Sequence, residues 1–269
     1  MTKIIEASYR DWKPARKKLH APNLENEINE DVIVIDKEHQ TIVAIQISLS
    51  DDKKPLSKEV EKILRHSMKW DNGGVSRLSG IIASNRVFGT LAPEKLRKRY
   101  GCSTAKLNEE QPTLNKLLLE IAKYSYELFA SIDPHRAESH TEIVTSQVHP
   151  DWLLGGTPFT SGIINNWSAL PYHKDSGNFT GSWSMMLSLR KNLEGGHLHL
   201  PEYDLVLGVP NNSLLIFNGQ ELWHGVTPLI PKKKDAYRFT IVWYAKNKIK
   251  QCGCREEETQ RSAIEASKP

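Results

Sequence analysis

The sequence predicts an α+β fold: helices dominate the first half, and a sandwich or barrel of short strands makes up the second. Two observations carry this. Helical periodicity with capping residues runs up to Asp133, and beyond it β-type segments recur at intervals of about 8 to 15 residues, punctuated by Gly, Pro and Asn. A third bounds the organisation. A chain of 269 residues lies near the upper limit for one hydrophobic core, so one main domain over 31–250 is expected, with the strand-rich core at about 140–250.

The first 30 residues lack periodicity and read as an N-terminal arm or lid. "DVIVID" and "TIVAIQISL" are β-branched runs separated by a polar turn, which predicts a hairpin. "SKEVEKILRHSMKW" places Glu59 and Glu61 in a first turn after Ser57 and spaces Val60, Ile63 and Leu64 helically, so a helix capped by Ser57 is expected. "NGGVSRLSGII" breaks that pattern and leads into a strand. "LAPEKLRKRYG" reads as a short helix with Pro93 in its first turn and Gly101 after its end. The longest helix is "QPTLNKLLLEIAKYSYELFASI", with Leu114, Leu117, Leu118, Ile121, Tyr124 and Leu128 on one face. The strands follow in "SGIINNWSAL", "TGSWSMMLSLR", "GGHLHLPEY", "LVLGV", "NSLLIFNG", "LWHGVTPL" and "YRFTIVWYAK", and residues 251–269 are expected to fray as a tail.

Composition narrows the function classes. No apolar run approaches the roughly 18 residues of a membrane span, and the start "MTKIIEASYRDWKPARKKLH" is charged where a signal peptide would be apolar. An intracellular protein, cytoplasmic or nuclear, and monomeric, is expected. Cys102, Cys252 and Cys254 are odd in number and read as free thiols, with Cys252-Gly-Cys254 as half of a metal clip the alternative. A net charge of +4 is mild, but the cations cluster at 16–20, 94–100, 232–234 and 246–250, which suits either a polyanionic partner or plain solvated faces.

The chemistry concentrates in "ALPYHKDSGN". An extended chain projects residues i and i+2 to one side, so His173 and Asp175 can address one point. A mononuclear non-haem iron site needs two histidines and one carboxylate on one face, leaving positions for a cosubstrate and dioxygen. His224 in "FNGQELWHGVTPL" is the candidate third ligand; His197 and His199 in "GGHLHLP" compete with it on paper. Arg238, 14 residues after His224, offers a planar fork for a carboxylate, and Thr240 adds a hydroxyl on the same side of its strand.

His-x-Asp, a distal His and an Arg on the next strand resemble the order in Fe(II)- and 2-oxoglutarate-dependent dioxygenases. "HKDSGN", "HGVTPL" and "RFTIVWYAKNK" are similar to the TET/J-binding-protein branch of that superfamily. Asn165-x-Trp167 resembles the family's Asn-x-Tyr strand with Trp in place of Tyr, and "SNRVFGTLAPEKLRKRYGC" is similar to a J-binding-protein stretch. The long Cys-rich region and large insert of animal TET proteins are missing, so the resemblance is to a compact microbial or phage-like form. It implies a double-stranded β-helix (jelly-roll) core with N-terminal helices packed on the sheet. It also implies Fe(II) held by His173, Asp175 and His224, and 2-oxoglutarate held by Arg238 and Thr240 with Asn165 nearby. Dioxygen is then a cosubstrate, and Asn178 and Tyr244 contact a flipped base. The expected activity is oxidation of a pyrimidine 5-methyl group in DNA to hydroxymethyl, on 5-methylcytosine ahead of thymine. The iron motif equally suits hydroxylation of a protein side chain or small molecule. A jelly-roll binding module without catalysis is a third reading, against which stands the carboxylate fork accompanying the triad.

Overall fold

The structure is a computed structural model that describes residues 2–70 and 83–267. In chain order its elements are β1 (Lys3–Ala7), β2 (Val32–Asp36), β3 (Ile42–Ser48), α1 (Lys54–His66), β4 (Ser84–Leu91), β5 (Ser103–Thr104), α2 (Lys106–Glu110), α3 (Pro112–Ile132) and α4 (Pro134–Thr145). There follow β6 (Ser161–Asn166), β7 (Ser184–Lys191), β8 (Leu193–Gly195), β9 (Leu198–Leu200), β10 (Leu205–Leu207), β11 (Ser213–Phe217), β12 (Gly225–Val226), β13 (Leu229–Pro231), β14 (Tyr237–Tyr244) and α5 (Arg255–Ala266). They divide into two units, one of the described residues of Met1–Asn85 with Ile164–Ser176 and Ser184–Val242, the other of Arg86–Ile163, Gly177–Trp183 and Trp243–Pro269.

In the first unit the β-branched runs pair as expected, β2 antiparallel to β3 with a register shift at Val34/Ile35. β3 pairs with β11 and β11 with β7, giving the order β1-β2-β3-β11-β7-β14-β6. A smaller sheet, β10-β9-β12, faces inward from the opposite side, and β13 pairs with β8. Alternation places Met186, Leu215 and Phe217 of the larger sheet in one core with Leu198, Leu200, Leu205, Leu207 and Val226 of the smaller. Two facing sheets around such a core make a double-stranded β-helix, and with the helices the fold is α+β as expected.

Helix α1 begins earlier than its sequence suggests, because Pro55 is pre-set for a first turn. Ser57 is therefore inside the helix rather than its cap, buried with Oγ 2.9 Å from Lys54 O and 2.7 Å from Asn212 Oδ1. Val60, Ile63 and Leu64 are buried, at about 1.5–3 kcal/mol each. The Arg65 guanidinium lies 4.7 Å from the Tyr237 ring of β14, so this helix packs on the sheet. Five residues of the expected N-terminal arm also join the sheet, as β1 runs parallel to β2 with Lys3 opposite Val32. The stretch "NGGVSRLSGII" lies outside the described residues, and β4 follows it at Ser84–Leu91.

In the second unit α3 spans the expected residues and buries Leu114, Leu118, Ile121, Ala122, Ser125 and Phe129, leaving Leu117, Tyr124 and Leu128 half-buried. Four expectations fail there. The helix at 91–101 is a single 3₁₀ turn, Lys95–Arg97, because backbone bonds between Glu94 and Arg99 close a turn around it. Helix α4 follows Asp133 where strands were expected. Asp133 caps it by accepting from Arg136 N, and its buried face of Ala137, His140 and Val144 is too sparse to register as periodicity. The frayed tail is instead α5, with Glu257 closing a capping box on Cys254. Buried Glu258 accepts from Cys102 N at 2.8 Å and Gly253 N at 3.0 Å. Cys102 and Cys252, read as free thiols, are joined by a disulfide across 150 residues, and Cys254 is free. No helix among the described residues is long and apolar enough to cross a membrane.

Candidate metal and cosubstrate site

The site begins with a backbone pairing. His173 N donates to His224 O and His224 N to His173 O, both at 3.0 Å, so the two loops carrying the histidines are locked face to face as one antiparallel bridge. Asp175 is fixed by its N–H on Gly219 O at 2.8 Å. The ligand atoms of His173, Asp175 and His224 then all lie within 4.8 Å of one another. His173 and Asp175 side chains stay about a third exposed, at 34% and 29%, against 7% for His224, which leaves the cluster accessible from one side.

Each imidazole is oriented by a second contact. His173 Nδ1 lies 2.8 Å from Pro171 O and His224 Nδ1 3.0 Å from Leu222 O. A carbonyl can only accept, so Nδ1 of each ring carries a proton and Nε2 is the atom left to address a ligand. The two Nε2 atoms face Asp175 Oδ1 at 3.5 and 3.8 Å. This is the tautomer a metal requires. Burial pulls His224 down to about 4, which keeps it neutral at physiological pH. For Asp175 burial acts to raise the carboxyl, but the His173 hydrogen bond and both imidazoles outweigh it and the net shift is down. For His173 burial acts to lower the imidazole, but the Asp175 hydrogen bond and the Pro171 carbonyl outweigh it and the net shift is up. With Nε2 unprotonated, the two imidazoles and the carboxylate, which has no other ion pair among the described residues, could form a facial donor set for a divalent iron. Gly219 is part of it, since a Cβ there would sit 2.5 Å from Asp175 Oδ2.

Arg238 and Thr240 project from one side of β14. Arg238 is 2% exposed, and its hydrogen bonds go to carbonyls: Nη1 to Ser168 O at 3.1 Å and Nη2 to Gly196 O at 3.0 Å. Its Nε is buried without a partner, and no carboxylate pairs with it among the described residues. Burial, with Arg190 nearby, lowers it to about 9. A buried cation with an orphaned donor is costly unless an anion completes it, so the residues present fit a carboxylate ligand. Thr240 Oγ1 accepts from Asn165 Nδ2 at 3.3 Å, which joins the three expected cosubstrate residues on neighbouring strands.

The competing histidines lie outside the ligand cluster. His199 Nδ1 is 2.6 Å from Tyr172 OH, and His197 Nδ1 is buried without a partner. Asn178 and Tyr244 fall in the second unit. There Asn178 bridges Lys246 and Phe179 N donates to Ala245 O at 3.1 Å, so both expected base contacts lie on one short ladder, Asn178 buried and Tyr244 half-buried. The same unit gathers two basic runs, because Lys246 is lowered by burial and then by the charges of Arg99 and Lys248, with Arg97 contributing. Sequence reasoning missed Gly219 and the carbonyls of Gly195 and Gly196; the paired glycines next to "HLHLP" were the available signal.

The chain is similar to known oxygenases. The family profile for Tet_JBP, the oxygenase domain of the 2OGFeDO superfamily, matches residues 91–247. Thymine dioxygenase JBP1 of Trypanosoma brucei brucei is 24% identical over 191 residues, 70% of this chain and 22% of the relative. The corresponding protein of Leishmania major is 25% identical over 174 residues, 64% of this chain and 20% of the relative. The chain thus spans about a fifth of the length of these two curated relatives. Among solved structures, NgTET1 in complex with 5mC DNA superposes with a TM-score of 0.62 at 14% identity, covering 98% of this chain and 90% of that one. The chain belongs to the Tet_JBP family of oxygenase domains, dioxygenases that use Fe(II) and 2-oxoglutarate.

Proposed function

We propose that this chain hydroxylates the 5-methyl group of a pyrimidine in DNA, with 5-methylcytosine the first substrate to test and thymine the second. The observation that carries the chemistry is the pairing of an oriented His173–Asp175–His224 cluster with a buried, carboxylate-free Arg238. On this reading the triad holds Fe(II), and Arg238 with Thr240 holds the far carboxylate of 2-oxoglutarate, Asn165 setting the Thr240 hydroxyl. When bound, the pair would let dioxygen oxidise a substrate C–H to C–OH, one oxygen atom going to the product and the other to succinate as 2-oxoglutarate loses carbon dioxide. The chain's own residues supply orientation. Pro171 O and Leu222 O hold the imidazole tautomers, Gly219 leaves room for Asp175, and burial around Arg238 excludes competing water.

The nucleic-acid part rests on the relatives and on charge. The curated relatives are thymine dioxygenases, which supports thymine; the fold match was solved with 5mC DNA, which keeps 5-methylcytosine in play. A methyl group in a duplex must leave the stack to be oxidised, at a few kcal/mol. Asn178 on the base edge and Tyr244 as a stacking face, worth roughly 1–3 kcal/mol per base, are the residues proposed to recover it. The basic cluster of Arg97, Arg99, Lys246 and Lys248 is proposed to hold phosphates. The test is mass spectrometry of nucleosides after incubation of the iron-loaded protein and 2-oxoglutarate with methylated and unmethylated DNA. Hydroxymethylated pyrimidine is the expected product. Its absence on every DNA and RNA, with succinate release stimulated by a peptide or metabolite, would favour hydroxylation of a protein side chain or small molecule.

A further inference from the structure

Arg190, at the end of β7, is a second guanidinium held by carbonyl oxygens. Its Nη1 donates to Gly208 O at 3.0 Å and its Nη2 to Gly195 O at 2.5 Å. The next carbonyl along the chain, Gly196 O, accepts from Arg238 Nη2 at 3.0 Å. Two consecutive peptide units thus tie the two arginines together.

The link is rigid. Gly195 and Gly196 have φ of +68° and +69°, the left-handed region that side chains disfavour. A Cβ on Gly195 would meet Pro228 O at 1.8 Å, and one on Gly196 would meet Arg238 Nε at 2.8 Å. From the other side Gly196 N donates to Pro228 O at 3.1 Å and His197 N to Thr227 Oγ1 at 3.0 Å. With the dipeptide gripped on that flank, Arg190 closes the remaining one and determines where Gly196 O points. That in turn holds the Arg238 fork with Nε turned free.

We propose that Arg190 is a positioning residue for the cosubstrate, setting the Arg238 fork through the Gly195–Gly196 carbonyls. The inference rests on Arg238 as the carboxylate site and adds to it a residue on another strand. Arg190 also lines a cavity of about 530 Å³ with Glu27, Gly195 and His197, so shortening its side chain opens no sealed void and leaves folding testable apart from binding.

The experiment is anaerobic calorimetric titration of the full, Co(II)-loaded chain with 2-oxoglutarate, together with the ligand-induced shift in Tm. Arg190→Lys and Arg190→Gln should each weaken binding about tenfold, the step expected when one charge-assisted contact is lost, with ligand-free Tm and metal content unchanged. Gly196→Ala, which disturbs the link from its other end, should also weaken binding, but with a lower ligand-free Tm because its φ of +69° disfavours a side chain. Arg190→Lys/Arg238→Lys should bind no more weakly than Arg238→Lys alone, because Arg190 acts through Arg238. Additive losses, or wild-type binding by Arg190→Lys, would overturn the positioning role. Wild-type binding by Arg238→Lys would instead overturn the carboxylate site on which it rests.

Discussion

His173 and His224 exchange both backbone hydrogen bonds at 3.0 Å while their ring centroids lie 4.2 Å apart, so one closed backbone pair fixes two side chains on a common point. The bridge is made by main-chain atoms alone. Metal removal should therefore leave the fold intact, and a chelated sample should keep its far-ultraviolet circular dichroism while losing turnover.

The ligand reading separates histidines that look alike in sequence. His173→Ala or Asp175→Ala should abolish Fe(II) binding in equilibrium dialysis, since loss of a donor changes charge and coordination together. His197→Ala and His199→Ala should retain the metal. Full activity of Asp175→Ala would sink the facial-triad assignment.

Gly219→Ala should weaken iron binding without touching a ligand. Its Cβ would stand 2.5 Å from Asp175 Oδ2 and push the carboxylate off its line to the imidazoles. A loss of about tenfold in metal affinity is expected, comparable with losses caused by disturbing groups that orient ligands; an unchanged affinity would show that Asp175 can move freely.

Tyr244→Ala should lower turnover on DNA by roughly one to two orders of magnitude through lost stacking, while uncoupled 2-oxoglutarate decarboxylation continues. Replacing Arg97 and Lys248 together by Ala should weaken DNA binding across all sequences and flatten its salt dependence. Fluorescence anisotropy at several salt concentrations reads this directly, and a sequence-selective loss would contradict a phosphate role.

His140 should make the protein acid-sensitive. It is fully buried, with Nδ1 accepting from Trp183 N at 3.0 Å and Nε2 donating to Pro158 O at 3.2 Å, and burial lowers it from 6.5 to about 4. Above pH 6.5 the imidazole is neutral folded or unfolded and contributes no pH dependence. Between 6.5 and about 4 the unfolded chain binds a proton that the folded one refuses, so stability falls with decreasing pH, by roughly 3 kcal/mol in total. Urea titrations at pH 7 and pH 5 should show that slope, and His140→Gln should flatten it even if it lowers stability throughout.

The sequence by itself determined what depends on neighbours along the chain. β-branched runs and a polar turn suffice for the β2–β3 hairpin, helical spacing of leucines suffices for α3, and residue type and order alone pick out His173-x-Asp175 and a later His224 as candidates, which the structure brings within 4.8 Å of one another. Tertiary structure decided what depends on partners far away. Cys102 meets Cys252 across 150 residues. Glu258 anchors α5 by accepting from Cys102 N, and a buried carboxylate leaves no apolar period to read. His199 is drawn to Tyr172 and away from the ligand set. Gly195 and Gly196 aim two carbonyls at Arg190 and Arg238. Periodicity and residue type record which groups are available; which of them converge is set by sheet pairing, whose partners are distant in sequence and leave no local trace.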